Sequence, residues 1–166
     1  MLKVSPCKEK TSADRLKPDE QKILHFTLQG VLPVGHTLVL NTKSGTLSHL
    51  AIDGDRARLM MQQQFTNSEI SVLLPLLEQF PHYCPYEVLF ASFYDNSITE
   101  LTVAHCRQRL QKVMEAGTWD QEMRPLRNVL SRARLKIRVF GIDISSILET
   151  GYILMVLSTP KPVGDG

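Results

Sequence analysis

The chain has 166 residues, which favours one domain with tails, and 43% of them are apolar, enough for a packed core. Its net charge of +2 hides an uneven distribution. Residues 1–100 hold nine Lys and Arg against eleven Asp and Glu, residues 101–141 nine against three, and residues 142–166 one against three. Three cysteines, Cys7, Cys84 and Cys106, show no metal-ligand spacing, and there is neither a signal peptide nor an apolar run of membrane length. These features argue against a disulfide scaffold and a membrane protein, and set the expectation of a cytoplasmic chain with reduced thiols.

Residues 1–21 are polar and Lys-rich without periodicity and read as a flexible arm. From 22 to 62 the pattern is strand-like. The runs "ILHFTLQG", "HTLVLN", "LSHLAI" and "RARLMM" are separated by the turn chemistry of "PVG", "KSG" and "DGD". They predict a small antiparallel sheet of three or four strands.

A helix start follows in "FTNSEI". Thr66 stands three residues before Glu69, a capping box, with Phe65 and Ile70 at the staple positions. Ile70, Leu73, Leu74 and Leu77 form its apolar stripe, Pro75 is expected to kink or shorten the helix, and Pro81 ends it. "CPYEVLFASFYD" predicts a short second helix with Pro85 in its first turn. A third helix spans 101–116, with Val103, Cys106, Leu110, Val113 and Met114 on one face and Gly117 as its cap. Its bases Arg107, Arg109 and Lys112 diverge on a helical wheel, which suits a brace or a partner surface better than a groove reader.

The fourth helix is the one that carries chemistry. "RPLRNVLSRARLKIRVFG" contains six basic side chains, five of them Arg, and no acid. Met123, Leu126, Leu130, Ala133, Ile137 and Phe140 recur at helical spacing, and Gly141 stops the run. Pro125 confines the helix start, so "TWDQE" reads as a separate turn or kinked lead-in, with Trp119 a junction anchor. The arc opposite the apolar stripe holds Arg124, Arg127, Asn128, Ser131, Leu135 and Arg138, flanked by Arg132 and Arg134. Solvated helix faces usually mix signs because opposite charges four residues apart stabilise one another. An all-basic, Arg-dominated face with short hydrogen-bonding neighbours suits phosphates and base edges. After Gly141, "IDISSIL" and "GYILMVL" flank "ETG" and predict a hairpin over 142–157. Residues 159–166 read as a frayed tail.

The stretch from about 50 to 157 resembles the winged helix-turn-helix domain of OmpR/PhoB-type transcription regulators. The resemblance rests on "LAIDGDRARLM" before "FTNSEISVLLPLLEQFP", and on "LRNVLSRARLKIRVFGIDISSILETGYIL", which looks like a recognition helix and wing closing on Gly-Tyr. It implies an α+β fold over 22–158: an N-terminal antiparallel sheet, a helical part over 66–140 and a C-terminal hairpin wing. It implies sequence-specific binding of double-stranded DNA, with helix 124–138 in the major groove. The chain departs from the family pattern in lacking a receiver domain, in the helix inserted at 101–116, and in an acid, Glu149, where the wing usually carries a base. The inserted helix offers a surface for RNA polymerase or another protein, and a homodimer is a further expectation. The rival reading is a winged helix that docks a protein partner without binding DNA. No catalytic constellation, cofactor motif or metal site is expected: the pairs His82 with Cys84 and His105 with Cys106 lack partners, Ser145 and Ser146 lack a nucleophile elbow, and the five histidines are scattered.

Overall fold

The computed structural model describes residues 22–157. The expected arm, the expected tail and Cys7 lie outside the described residues. The four N-terminal runs form β1 (Ile23–Phe26), β2 (His36–Asn41), β3 (Thr46–Asp53) and β4 (Arg56–Gln64), paired antiparallel in chain order. Alternation decides which face is covered. Leu38 and Leu40 of β2 and Leu47 of β3 are fully buried on one face, while their neighbours along each strand point the other way. β4 has no such pattern and is exposed along almost its whole length, as an edge strand that overhangs the core.

Helix α1 (Asn67–Gln79) begins as its capping box predicts. The Glu69 amide donates to Thr66 Oγ1 at 3.2 Å, and the Thr66 amide donates to Glu69 Oε1 at 2.9 Å. Pro75 does not shorten the helix, which runs through it to Gln79 with the ring buried. Proline removes the N–H that would reach the carbonyl of Ser71, four residues back. The Ser92 hydroxyl, itself buried, donates to that carbonyl from the next helix. The orphan acceptor is thereby satisfied from outside the helix.

Pro85 also differs from expectation. It is the N-cap of α2 (Tyr86–Asp95), and with Cys84 it forms a two-residue strand, β5. Next come α3 (Glu100–Ala116), capped by Gly117, and α4 (Trp119–Ile137), which runs into a 3₁₀ turn at Arg138–Phe140. The hairpin strands are β6 (Ile142–Ile147) and β7 (Gly151–Val156). β5 adds to β7, making a three-stranded sheet in the order β5-β7-β6 that no local pattern announced. Gly151 makes this possible, since a Cβ there would overlap the carbonyl of Cys84. Burial raises the Cys84 thiol to about 12, with Glu87 and Glu78 adding to the effect, so this sulfur is inert.

One apolar cluster joins all layers. Leu38 and Leu47 of the first sheet, Leu73 and Leu76 of α1, Phe90 of α2, Leu126 and Ile137 of α4 and Ile142 of β6 belong to it. Among the described residues, no helix is long and apolar enough to cross a membrane.

Ser92→Ala should cost about 1–3 kcal/mol, the penalty for stranding a carbonyl that water reaches poorly. In a Pro75→Ala background, where the helix recovers its own donor, that cost should shrink. A double-mutant cycle on urea denaturation checks this, and strict additivity would rule out the coupling.

Candidate nucleic-acid interface

α4 is built as an amphipathic rod. Met123, Leu126, Val129, Leu130, Ala133 and Ile137 are buried against α1 and β6. Arg124, Arg127, Asn128, Ser131, Arg132, Arg134 and Arg138 are all exposed, as the wheel predicts. The helix boundary is corrected at both ends. It starts at Trp119, so "TWDQE" is helical and Pro125 lies inside, while Arg138 belongs to the 3₁₀ turn. Two contacts hold the added N-terminal turn. Trp119 meets the Tyr86 ring edge-on at 5.3 Å, and Glu122 ion-pairs with Arg109 of α3. The residue four before Pro125, Gln121, is exposed, so water can satisfy its carbonyl.

The expectation of an acid-free face holds for 124–138 but not for the folded surface. Acids arrive from elsewhere. Asp143 of β6 takes a two-pronged contact from Arg134, Nε at 2.7 Å and Nη2 at 3.2 Å, and lies 3.8 Å from Arg138 Nε. Glu69 of α1, 2% exposed, accepts from Lys136 at 2.7 Å and sits 3.6 Å from Arg132. Asp120, one helical stretch upstream, lies 3.3 Å from Arg127, with 83% of its side chain in solvent. Arg124 has no ion-pair partner within 4.0 Å among the described residues.

These pairs divide the arginines. The Arg134 hydrogen bond depresses Asp143 despite partial burial, helped by the Arg134 charge, the Ile144 amide and Arg138. Burial pushes Glu69 up, but the Lys136 hydrogen bond and the Thr66 contacts outweigh it and leave Glu69 below the ordinary carboxylate range. Arg134 is therefore a clamp between α4 and the hairpin, and Arg132 and Lys136 fasten α4 to the start of α1. Arg127 is held only by an exposed pair, a kind worth about 0–1 kcal/mol. Arg124, Arg127, Asn128 and Ser131 form the half of the face free to meet a ligand.

A cleft of about 230 Å³ runs between α4 and the hairpin, lined by Arg127, Ser131, Arg134, Ser146 and Tyr152 above Leu130 and Ile144. Ser146 and Tyr152 carried no assigned role in the sequence. Their only signal was their place in the expected hairpin and, for Tyr152, the Gly-Tyr pair. Hydroxyls beside guanidiniums make a surface of donors suited to phosphate oxygens. Asp95 and Glu87, by contrast, cluster around Cys106 and Arg107 on the α2–α3 side. There the base Arg107 is paired with Glu87 and Arg109 lies over the Tyr94 ring at 5.2 Å, in keeping with a brace. Among the described residues no group of three or more His, Cys, Asp or Glu comes together. Comparison of the chain with protein-family models, with curated proteins and with solved structures returned no match.

Exposed substitutions that break no pair usually cost under about 0.5 kcal/mol. Arg124→Glu should therefore melt like the parent chain, whereas Arg134→Glu sets two acids together at Asp143 and should melt measurably earlier. Scanning calorimetry of the two variants separates ligand-facing from structural arginines.

Asp143 and Glu69 both titrate lower when folded. Their contribution to stability is present above the unfolded value of about pH 4 and is lost as pH falls through the folded values. Urea midpoints measured from pH 6 down to pH 3 should fall, and Asp143→Asn combined with Glu69→Gln should flatten that dependence. An unchanged slope in the double variant would show that other groups control it.

Proposed function

We propose that this chain is a winged-helix protein that binds double-stranded DNA and regulates transcription, without enzymatic activity. α4 acts as the recognition helix and β6–β7 as the wing. The observation that carries the reading is the exposed row Arg124, Arg127, Asn128 and Ser131 beside the hydroxyl-lined cleft. The order sheet, helix, short strand, helices, basic helix and hairpin supports it, as does the excess of positive charge over 101–141. Arg127 and Ser146 sit where one phosphate backbone can touch helix and wing together, while Arg124 and Asn128 reach towards base edges.

The wing tip itself contributes little attraction. Glu149 occupies the turn between β6 and β7 in a left-handed conformation, φ 56°, and its charge repels phosphate. One observation favours the rival, a protein-docking winged helix: Leu135 is 68% exposed on the basic arc, with Val139 44% exposed one turn on.

Fluorescence anisotropy with random duplex DNA at several salt concentrations tests the choice. With roughly three to five phosphates neutralised, log K should fall against log salt with a slope of about −3 to −4.5. Arg124→Glu with Arg127→Glu should remove binding, and Arg109→Glu with Lys112→Glu on α3 should weaken it only modestly. A flat salt response, or no binding at about 50 mM salt, would falsify DNA binding and leave the docking module.

A further inference from the structure

Side chains alternate across the first sheet, and its two faces differ in kind. The inner face carries Leu38 and Leu47 of the core. It also carries His49, whose imidazole hydrogen-bonds His36 at 2.9 Å and whose ring lies 6.4 Å from that of Phe140 in the 3₁₀ turn after α4. Asp53, Arg56 and Arg58 alternate to this same side, in step with Ala51 and His49. The outer face receives no Asp, Glu, Lys or Arg from any of the four strands, in a chain where 22% of residues are charged. Its one titratable group is His25. Val39, Leu50, Ile52 and Leu59 form its apolar part, and Ile52 and Leu59 are 48% and 53% exposed. Val34, wholly exposed, adjoins Ile52, because the Ile52 amide donates to the Gly35 carbonyl at 2.7 Å. The remainder is hydroxyl and amide: Thr37, Asn41, Thr46, Ser48, Gln62 and Gln64. Gln62 donates to the Ser48 hydroxyl at 3.1 Å, as neighbours on one face can.

We propose that this outer face is a homodimer interface, on which a second copy of the chain seats the same face about a two-fold axis. Such an interface must be complementary to itself. Two faces of one charge sign would repel, and a face without ionised groups avoids this. Its hydroxyls and amides both donate and accept, so each can pair with its counterpart across the axis. Val39, Leu50, Ile52 and Leu59 supply the apolar centre, and depletion of charge is the compositional mark of an interface core. The same absence of charge gives a nucleic acid or an acidic peptide nothing to recognise here.

The sheet stacks face to face rather than lengthening edge to edge. At the β4 edge a bulge interrupts the register, with Met60 the extra residue between the pairs His49–Met61 and Leu50–Leu59, and Arg56 and Arg58 stand at the start of the strand. Bulges and edge charges oppose strand addition. Stacking the outer faces also keeps the two basic helices apart, since the end of α4 lies on the inner side of its own sheet, by His49. Four strands of four to nine residues give a footprint of roughly 400–500 Å² per copy. That is the size of a weak, reversible dimer rather than a permanent one. The dimer does not depend on the DNA reading.

Sedimentation velocity of the full chain without DNA, from about 1 to 500 μM, should show a monomer–dimer equilibrium with Kd of about 1–100 μM. Raising salt to about 0.5 M should not dissociate it, because no ion pair holds it. Leu59→Glu and Ile52→Glu each set two like charges near the axis and should raise Kd about tenfold or more. Leu101→Glu, an equally exposed apolar site on α3, should leave it unchanged. Methyl NMR of the unaltered chain needs no variant to fold: on dilution, shifts should move at Val39, Leu50, Ile52 and Leu59. A monomer at every concentration would overturn the proposal and leave the face to another occupant, such as residues 1–21 or a different protein. So would a dimer that survives both sheet variants, is lost in Leu101→Glu or at high salt, or moves methyl shifts only on α3 or the hairpin.

Discussion

Glu69 links the start of α1 to α4 through one buried carboxylate. It is almost fully buried, yet it is charged, and the fold supplies what a buried carboxylate requires. One oxygen accepts the Thr66 amide that begins α1 and the Lys136 ammonium from α4. The other faces Arg132. Lys136 in turn donates to the carbonyl of Gln64 at the end of β4 and lies over the Phe65 ring. Strand end, helix start and basic helix are thus tied at one point, and the position of α4 relative to both sheets follows from it. Removing the carboxylate would strand a helix N-terminus and two cations together, which is why its effect reaches far beyond one cap.

The same economy shapes the proposed interface. The stretch 124–138, with five arginines, a lysine and no acid, would repel itself and have little reason to lie against a hairpin. Asp143 and Glu69 offset part of the charge of its C-terminal half and turn those cations into joints between elements. What is left for a polyanion is the N-terminal half, where Arg124 and Arg127 project beside Asn128 and Ser131. The two functions of the arginines, fastening and recognition, are separated along one helix by which acids the tertiary structure places beneath it.

Proline and histidine show how far a local rule can be overridden. Pro75 is expected to kink or shorten α1, yet the helix runs on to Gln79, with Ser92 of α2 donating to the carbonyl that proline leaves without its helical partner. Pro125 ought to set the start of α4, and does not, because Trp119 and Glu122 are held by Tyr86 and Arg109. His36 and His49, thirteen residues apart, become neighbours only because β2 and β3 pair in one register.

Much of the fold was legible in the residues themselves. The alternation of β2 and β3, the Thr66–Glu69 box and the apolar stripe of α4 each act over a few residues. Period and short-range hydrogen bonding therefore determine them without reference to the rest of the chain. The exposure of Arg124, Arg127, Asn128, Ser131, Arg132, Arg134 and Arg138 was settled by the same stripe, since burying one side of a helix exposes the other. What could not be read was every feature made by partners distant in sequence. The β5 strand against Gly151, the continuity of helices through two prolines and the acids beneath the arginines belong here, as do the cleft with Ser146 and Tyr152 and the histidine pair. Such contacts depend on how elements pack, and packing is fixed by the whole core at once. Sequence thus determined which surface of α4 faces outward, and tertiary structure alone decided which of its charges remain free to act.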